Sequence, residues 1–529
     1  MSRVRGVVSF VATSALLFAP LASSAAAKKP VPFKDLASQT HWVNQHFRAP
    51  FDRDSARLTM NGGAVVLRKA AQALPAAVIH NVKVNQDRNP WPKAEIAVAA
   101  DPTKARNLVV MSNDFRVNWD EQFYHVSTNG GTKWTDDRMV GGADSFIGGA
   151  QLTFQSDPGV AFDSRGHSVL SAITGNQIFD FNNLYENLDT QIEVAVGFNH
   201  GTYSLLLPTI IDTLPCNGNL DEDGVFVCPG TLDKPLITVD NVPGSPNNGT
   251  IYVYYTYFCN DTPCADGTAT IPAFSSAILE SHSPGAGLPF SAPALVSGHL
   301  TQEQFSYLVV DSHGVPHIFF DDFTTPTIAM YESTLKAGKW VVHPTPVVKF
   351  NTFQIGSINW GFRLAGTEAP GCSIFADTAY CAFSANQVNA GAVESSLSAY
   401  LVRVNTENGS SKIARVNNDP FGGSKDHIFP WATTKSDGSI YVGFYDDRQD
   451  PANTLVRYWV AKSTDGGATF PTQMAVSTAA FNPCVGFPGC GFFGDYTQIA
   501  AGPNGVVHAA WSDTRDGASM QIYGQAITW

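Results

Sequence analysis

The chain has 529 residues, of which 44% are hydrophobic and 11% aromatic, so it can bury a large core and is not globally disordered. Only 15% of the residues are charged, and 46 acidic against 33 basic side chains give a net charge of −13 with histidine neutral. This balance excludes a nucleic-acid binder held mainly by phosphate contacts. Many glycines, prolines and aromatic residues at low charge are typical of an all-β protein with tight turns.

The first 27 residues have the pattern of a secretory signal peptide. Arg3 and Arg5 precede a short apolar run over residues 7–21, and three alanines stand before Lys28. Such a segment is removed on export, and its apolar run is too short to cross a membrane comfortably. We predict a secreted protein with no membrane span. Residues 28–76 are predicted to be an N-terminal extension that is helical around 35–46 and 66–73.

From residue 77 to residue 529 one β-rich pattern recurs at intervals of roughly 60 to 76 residues, which leaves room for four strands in each copy. In each copy a short apolar strand, a turn with Asp, Gly or Asn and a second apolar strand follow one another. The copies begin at Glu95, Asp157, Asp233, Phe305, Glu368, Ile428 and Asp495. A repeat of this length predicts an all-β propeller of about seven four-stranded blades. Six blades, or two β-sandwich domains, are the alternatives.

The two ends of the repeat region predict how the ring closes. The last copy stops about one strand short of a full blade, and residues 77–86 form an apolar strand ahead of the first copy. We predict that this N-terminal strand becomes the outer strand of the last blade, because pairing there removes two exposed strand edges.

The eight cysteines fall as four close pairs. The pairs are Cys216/Cys228, Cys259/Cys264, Cys372/Cys381 and Cys484/Cys490. Local disulfides that pin loops are the simplest interpretation in an oxidising compartment, although sequence alone does not fix the connectivity. A metal site is the rival interpretation, but no CxxC or Cys/His ligand spacing occurs.

An acidic loop lies between the first two cysteines. Asn219, Asp221 and Asp223, followed by Gly224, fit the start of a calcium loop, with oxygen ligands at alternate positions and glycine at the sharp turn. Gly230 stands where an EF-hand has its last glutamate, so this is not an EF-hand. We expect either Ca²⁺ on these three side chains or a solvated loop closed by a disulfide. No other cofactor is predicted.

Two segments carry one turn motif at the same place in their copies. Residues 463–470, STDGGATF, fit Ser-x-Asp-x-Gly-x-Thr-aromatic throughout, whereas residues 127–134, STNGGTKW, depart from it at Asn129 and Lys133. Asp or Asn caps the turn, Gly takes positive φ, and the aromatic ring packs beneath. This motif is the Asp box, or BNR repeat. The chain therefore resembles the sialidase-like β-propeller superfamily, secreted bacterial type, over roughly residues 80–529.

Three copies carry Asp-x-Arg after the second strand, on the face where a propeller has its central funnel. The motif supplies Arg116, Arg448 and Arg515. Sialidases bind the carboxylate of sialic acid with three arginines, so the resemblance implies that these guanidinium groups clamp a substrate carboxylate. The alternative is that each arginine pairs with the aspartate of its own motif and serves the scaffold.

Acidic residues form a rim on the same face. They are Glu95, Asp157, Asp233, Glu368 and Asp495. Sialidases use a tyrosine nucleophile helped by a carboxylate, so the resemblance implies Tyr496 as nucleophile, with Tyr445 second. Asp157 or Glu95 is the predicted acid/base, and Asp495 beside Tyr496 completes the catalytic set. The alternative for each acid is that it caps a strand or pairs with an arginine.

These features predict a secreted, sialidase-like glycoside hydrolase, of the exo-α-sialidase type, that acts on extracellular glycans through the funnel. The chain departs from sialidases at their Arg-Ile-Pro segment, where the nearest match is Arg88-Asn89-Pro90, and sialidases have six blades. These departures favour the alternatives: a non-catalytic propeller that binds glycan or protein, or a polysaccharide lyase on the same scaffold.

Overall fold

The structure, a computed structural model, describes residues 80–529 except 117–119, 139–145, 148–149, 180–185, 199–208, 215–229, 260–263, 267–268, 353–358, 363 and 365–369. The predicted signal peptide and N-terminal extension lie outside the described residues. So do Cys216, Cys228, Glu368 and the candidate calcium ligands Asn219, Asp221 and Asp223. The regular secondary structure of the described part is almost entirely strand, with one turn of 3-10 helix at Pro488–Cys490.

A short strand, β1 (Val82–Lys83), precedes a series of antiparallel sheets that follow one another along the chain. The first sheet is β2 (Lys93–Ala100), β3 (Leu108–Asp114), β4 (Glu121–Ser127) and β5 (Thr135–Arg138). The second is β6 (Phe146–Ile147), β7 (Ala150–Phe162), β8 (Ser168–Phe179), β9 (Glu186–Gly197) and β10 (Thr209–Leu214). The third contains β11 (Gly230–Val239) and β12 (Ile251–Cys259), then a side hairpin of β13 (Cys264–Asp266) and β14 (Ala269–Ile271), then β15 (Ser275–Ser283) and β16 (Ala294–Leu295).

The remaining strands continue the pattern. The fourth sheet is β17 (Glu303–Val310), β18 (Pro316–Asp322), β19 (Ile328–Lys336), β20 (Lys339–Val342) and β21 (Val348–Asn351). The fifth is β22 (Gly371–Phe375), β23 (Thr378–Ala385), β25 (Ser398–Asn405) and β26 (Ser411–Arg415), while β24 (Gln387–Val388) pairs with β21. The sixth is β27 (His427–Thr434), β28 (Ile440–Asp446), β29 (Arg457–Ser463) and β30 (Thr472–Ala475). The seventh is β31 (Ile499–Ala501), β32 (Val507–Asp513) and β33 (Gln521–Ile527).

The first strands of these sheets form a ring. In the described residues β2, β7, β11, β17, β22, β27 and β31 each contact the next, and β31 contacts β2 again. Two parallel pairings of one residue each, Gly371↔Trp431 and Ile96↔Thr497, join neighbours directly. The ring surrounds a central cavity of about 350 Å³, lined by residues such as Val98, Val160 and Ala432. This arrangement confirms the predicted all-β propeller, and each sheet is a blade numbered 1 to 7 in chain order.

The N-terminal strand closes the ring as predicted. β1 pairs antiparallel with β33 of blade 7, with Val82 opposite Gly524 and Lys83 opposite Tyr523. The buried Asn85 extends this pairing, since its Nδ2 donates to Gln521 Oε1 over 2.7 Å and its Oδ1 accepts from the Ile522 N–H over 2.9 Å. The contact between the N-terminal strand and blade 7 is therefore held by main-chain and amide hydrogen bonds.

Packing between blades explains why the second strands read as nearly continuous apolar runs. β28, IYVGFYD, is buried along its whole length because a neighbouring blade covers each of its faces. Disulfides Cys259–Cys264, Cys372–Cys381 and Cys484–Cys490 confirm three of the four predicted pairs.

No helix in the described ranges is long and apolar enough to cross a membrane.

The two Asp-box segments form the same turn between the third and fourth strands of blades 1 and 6. In the second, Asp465 Oδ1 accepts from the N–H groups of Ala468 and Thr469, both over 3.0 Å. In the first, Asn129 Oδ1 accepts from the corresponding N–H groups over 3.1 and 2.9 Å. An amide oxygen therefore replaces the carboxylate without changing the turn.

Removing the Asn85 amide is expected to open the ring closure. Asn85→Ala leaves Gln521 and the Ile522 N–H without their buried partner, so the free energy of unfolding should fall by about 2–4 kcal/mol. Chemical denaturation measures this. Arg88→Ala, at an exposed position nearby, is the control. Equal stability of the two variants would contradict the role given to Asn85.

Several buried carboxyl groups make stability depend on pH. Burial raises the pKa of Glu303 to about 9, and it raises the pKa of Glu193 and of Asp447 to about 7. A carboxyl whose pKa is higher in the folded than in the unfolded chain stabilises the fold below its unfolded pKa. That stability is lost as the pH rises toward the folded value.

Glu303→Gln should therefore flatten the pH profile, because glutamine resembles the protonated acid. The variant and the wild type are expected to unfold at similar temperatures at pH 5, and the variant should be more stable by about 1 kcal/mol or more at pH 9. Thermal unfolding across pH 5–9 tests this. A constant offset between the two proteins would show that Glu303 does not titrate in this window.

Candidate active site in the central funnel

The first strands of five blades are interrupted at the same level by a β-bulge. At each bulge a residue other than glycine has left-handed backbone, with φ between 53° and 58°. These residues are Glu95, Asp157, Lys234, Phe305 and Phe429. Such backbone costs about 1–3 kcal/mol per residue and is typical of functional sites. The bulges lie near the start of β2, β17 and β27 and in the middle of the longer strands β7 and β11. They surround one mouth of the central channel, which we call the funnel.

One ammonium group holds three carboxylates at the funnel. Lys234 Nζ lies 3.1 Å from Glu95 Oε1, 3.3 Å from Asp157 Oδ2 and 2.8 Å from Asp495 Oδ2. We call these four residues the Lys234 cluster. All four side chains are at most 2% exposed, and they come from blades 3, 1 and 2 and from the loop before blade 7. Burial opposes the charge of Lys234, but the carboxylates outweigh it and hold the lysine pKa well above its ordinary value.

Amides and a hydroxyl fix the orientation of the acids. Asn113 Nδ2 donates to Glu95 Oε2 over 2.8 Å, and Asn113 Oδ1 accepts from the Asp157 N–H over 2.9 Å. Ser156 Oγ donates to Asp157 Oδ1 over 2.9 Å. Burial, the largest influence, raises the pKa of Glu95 and of Asp233 well above the ordinary carboxyl range. Lys234 opposes this shift at both groups, so the acids of the funnel differ in how strongly burial and the ammonium act on them.

Asp120 is a further acid at this site that the sequence patterns do not single out. It stands just before β4, half-buried, and burial is the main cause that raises its pKa well above the ordinary value. The charges of Asp157 and Asp114 add to the shift, and the Ser156 hydroxyl opposes it. Asp120 Oδ1 has no hydrogen-bond partner in the described part of the chain. These surroundings favour the protonated form of the Asp120 carboxyl group.

The hydroxyl groups of the two candidate nucleophilic tyrosines are already hydrogen-bonded within the protein. Tyr496 is 2% exposed and donates to the Pro158 carbonyl over 2.8 Å. Burial first, and then the charges of Glu95 and Asp157, raise the pKa of Tyr496 well above its ordinary value. Tyr445 lies 3.1 Å from Thr497 Oγ1 and is fully buried. The structure thus places Tyr496 against the Lys234 cluster, with Lys234 Nζ 5.6 Å from the centroid of the tyrosine ring. In this position Tyr496 is a neutral phenol.

The structure does not bring the three Asp-x-Arg arginines together. Each pairs with the aspartate of its own motif: Arg116 with Asp114, Arg448 with Asp446 and Arg515 with Asp513. Each guanidinium also lies 3.9–4.4 Å from the centroid of an aromatic ring on the third strand of its own blade, namely Phe123, Trp459 or Tyr523. This is the arrangement expected if each arginine serves its own blade.

The opposite side of the funnel is aromatic. Phe305 and Phe429 occupy the bulge positions of blades 4 and 6, where blades 1, 2 and 3 have charged residues. Phe305 contacts Phe323, and Phe429 stacks near Phe493, both with ring centroids 6.2 Å apart. The funnel is therefore divided into an ionisable half and an aromatic half, which suits a ligand with polar edges and apolar faces.

Sequence reasoning found Glu95, Asp157 and Asp495 but missed Lys234 and Asp120. A signal for Lys234 was present, since it stands six residues before a turn-capping aspartate, as Glu95 and Asp157 do. The three caps are Asp101, Asp163 and Asp240. Aligning the copies on these caps would have placed the lysine beside the two acids. Asp120 lies outside that register, so the repeat carries no signal for it.

Potential metal ligands converge at one further place among the described residues. Asp311, His313 and Asp377 have ligand atoms within 4.8 Å of one another. They lie on turns at the ends of the first strands of blades 4 and 5, opposite the funnel. Asp311 Oδ1 already accepts two backbone N–H groups, and Asp377 Oδ1 accepts the Ser312 hydroxyl over 2.6 Å. These bonds account for the group as a turn structure.

No protein-family model and no curated protein matches the chain. Among solved structures it is similar to a protein of unknown function from Dyadobacter fermentans, with 10% identity over 69% of this chain and 93% of that one and a TM-score of 0.43. It is also similar to a Hadza microbial sialidase, with 13% identity over 78% of this chain and 73% of that one and a TM-score of 0.38. A third similar structure is the GH93 α-L-arabinofuranosidase of Fusarium graminearum, with 8% identity over 85% of this chain and 97% of that one and a TM-score of 0.41. Likenesses this distant carry no functional argument, and the propeller is assigned from its own sheets.

Lys234→Met should destabilise the protein strongly, because it leaves three buried carboxylates without their cation. The free energy of unfolding is expected to fall by about 3–5 kcal/mol at pH 8. The loss should be smaller at pH 5, where protonation relieves the repulsion. Lys412→Met, on an exposed stretch of β26, is the control. A loss that does not depend on pH would contradict the electrostatic role of Lys234.

Proposed function

We propose that the protein is a secreted glycoside hydrolase that acts on extracellular glycans in the funnel. The observation that carries the proposal is that carboxyl groups at one site have opposite surroundings: Asp120 is buried without a cation beside it in the described residues, which raises its pKa, whereas Asp157 and Asp495 contact the Lys234 ammonium. Environments that separate acids in this way allow one to donate a proton while another stays ionised. Glycosidic hydrolysis needs that combination.

In this proposal Asp120 donates its proton to the glycosidic oxygen as the bond from that oxygen to the anomeric carbon breaks. The carboxylates of the Lys234 cluster stabilise the positive charge that develops on the sugar ring. Water supplies the new oxygen at the anomeric carbon, and its proton passes to the Asp120 carboxylate, which restores the acid. The strained bulges hold Glu95 and Asp157 in place before substrate arrives, so little reorganisation is needed during the reaction.

Tyr496 has a supporting role in this mechanism. Its hydroxyl donates a hydrogen bond to the carbonyl of Pro158, the residue directly after the bulge residue Asp157. A phenol whose pKa is raised by burial and by neighbouring carboxylates is a poor nucleophile. We therefore assign the chemistry to the carboxyl groups and make Tyr496 a positioning residue for Asp157.

Support for secretion comes from the signal-peptide pattern and the three disulfides. The two Asp-box turns support the resemblance to the sialidase-like scaffold, from which the glycan substrate is inferred. Exo-α-sialidase activity, the more specific possibility, rests on the resemblance alone. A sialidase-type clamp would need Arg116, Arg448 and Arg515 to turn away from their own aspartates. A polysaccharide lyase would likewise need cations to neutralise a substrate carboxylate.

A non-catalytic glycan- or protein-binding propeller is the second candidate. The observation that favours it is the burial of the Lys234 cluster, whose side chains are at most 2% exposed. Buried ion pairs often serve structure, so this candidate predicts ligand binding at the funnel rim without turnover.

Release of fluorophore from a panel of 4-methylumbelliferyl glycosides distinguishes the two candidates. We expect turnover of at least one glycoside by the mature protein, and a loss of about 100-fold or more in kcat for Asp120→Asn. Tyr496→Phe should lose far less, because the phenol is not the nucleophile. Lys412→Met, on an exposed stretch of β26 away from the funnel, is the control for folding and general activity. Absence of turnover across the panel would favour the binding propeller, and a Tyr496→Phe loss equal to that of Asp120→Asn would restore the tyrosine as nucleophile.

A further inference from the structure

The acids of the proposed active site are closed to solvent in this structure. Glu95, Asp157 and Asp495 are at most 2% exposed, and the Oδ1 atom of Asp120 is buried as well. A glycan can reach these groups only if part of the protein moves aside. One described loop lies against them and continues directly into Asp495.

This loop belongs to the connection between blades 6 and 7. The connection, residues 476–498, runs on the funnel side of the ring from the end of β30 to the start of β31. We call residues 482–494 the aromatic loop; they form one turn of 3-10 helix and no strand. Its three phenylalanines are at most 4% exposed, namely Phe487, Phe492 and Phe493. Connections longer than about 15 residues are uncommon in compact domains and often cover active sites.

The aromatic loop spans the mouth of the funnel. Phe493 lies against Phe429, the bulge residue of blade 6, with ring centroids 6.2 Å apart. It also contacts Phe362, from the connection between blades 4 and 5, over 5.4 Å. Gly494 approaches the bulge residue of blade 1 so closely that a Cβ atom there would lie 3.1 Å from the Glu95 nitrogen. The loop therefore touches bulge residues on both sides of blade 7 and a segment from farther round the ring.

The residues on either side of the aromatic loop are fixed. Before it, Phe481 and Val456 exchange two main-chain hydrogen bonds of 2.8 and 3.0 Å. After it, Asp495 Oδ2 lies 2.8 Å from Lys234 Nζ. Any movement of the loop is therefore confined to residues 482–494.

Contacts between aromatic rings hold the middle of the loop. Phe487 meets Phe115, which directly follows β3 of blade 1, edge-to-face with ring centroids 5.2 Å apart. It meets Phe492 of the loop itself over 5.1 Å. A segment held by ring packing can open locally at less cost than a strand that must leave its sheet. The Cys484–Cys490 disulfide closes this part of the loop on itself, so we expect it to move as one unit.

A glycine supplies a hinge at the end of the loop. Gly494 has a φ of 105°, which side-chain-bearing residues rarely adopt, and it stands between Phe493 and the fixed Asp495. A change in its dihedral angles would carry Phe493 away from Phe429 while Asp495 stays paired.

We propose that the aromatic loop is a lid that closes the funnel over the Lys234 cluster and lifts about Gly494 to admit a glycan. A lid explains how buried acids can be catalytic, because the substrate needs access to them only while the loop is lifted. This inference rests on the proposed glycoside hydrolase for its substrate, whereas the opening of the lid is measured without any substrate.

Proteolysis of the folded protein tests the opening. Chymotrypsin cleaves after phenylalanine, and the bonds after Phe492 and Phe493 are protected while the lid is closed. Their cleavage, followed by mass spectrometry of the fragments, tracks the population of the open form. Phe487→Ala removes ring contacts of the closed lid and should raise this rate by roughly tenfold or more. The rate should change little in urea below the unfolding transition, since local opening exposes little surface.

Phe470→Ala is the matched control. Phe470 is as buried as Phe487, at 4% exposed, but it belongs to the Asp box of blade 6, at the opposite end from the funnel. Its removal should destabilise the whole protein without touching the lid, so the urea-independent cleavage should stay unchanged. Phe115→Ala removes a ring contact of the lid from the side of blade 1 and repeats the test if Phe487→Ala does not fold.

Activity tests whether the lid controls access to the acids. If the closed state excludes substrate, the apparent affinity is lowered by the fraction of molecules that are open. Phe487→Ala should therefore raise kcat/KM by roughly threefold or more for a 4-methylumbelliferyl glycoside that the wild type turns over. A phenylalanine that only stabilised the fold or contacted the substrate would leave kcat/KM unchanged or lower it.

The outcomes separate the lid from the hydrolase. Cleavage that requires global unfolding, or equal effects of Phe487→Ala and Phe470→Ala, would overturn the lid whether or not a glycoside is turned over. Local opening together with turnover that Phe487→Ala does not raise would overturn the lid as a gate and leave the hydrolase standing. Local opening without turnover of any glycoside would support the lid and overturn the hydrolase.

Discussion

The contact of one buried ammonium with three carboxylates from different blades is the constraint around which the funnel is built. Each charge would be very costly to bury alone, so Lys234, Glu95, Asp157 and Asp495 must meet within hydrogen-bonding distance. Their meeting fixes the relative positions of blades 1, 2 and 3 and of the loop before blade 7. Glu95, Asp157 and Lys234 reach this contact from left-handed bulges, which re-aim a side chain out of the regular alternation of a strand.

The same bulge serves opposite chemistry on the two sides of the funnel. In blades 1 to 3 it presents Glu95, Asp157 and Lys234, whereas in blades 4 and 6 it presents Phe305 and Phe429. One backbone device, repeated around the ring, therefore makes a surface with an ionisable half and an aromatic half. A propeller can vary function in this way by changing a single residue in each blade while its sheets stay the same.

The Asp-x-Arg motifs show how a repeated pattern can point to function and yet belong to the scaffold. Each arginine satisfies an aspartate that is buried at the end of a second strand and covers an aromatic ring on the third. The arginine thereby ties two strands of one blade together at their exposed ends. A local pairing, two residues apart in the chain, costs less conformational entropy than convergence of three long side chains from separate blades.

The sequence by itself determined the architecture: the repeat and the strand at 77–86 sufficed for a propeller closed by its N-terminus. Three cysteine pairs and the Asp-box turns were also predictable, because residues close in the chain decide them. Tertiary structure alone decided which distant side chains meet. Asp120 and Lys234 join Glu95, Asp157 and Asp495 because the ring brings separate blades together, while Arg116, Arg448 and Arg515 stay apart because each has a partner two residues away. Local hydrogen bonds leave a pattern in the sequence, whereas contacts across the ring depend on the closed geometry of all the blades.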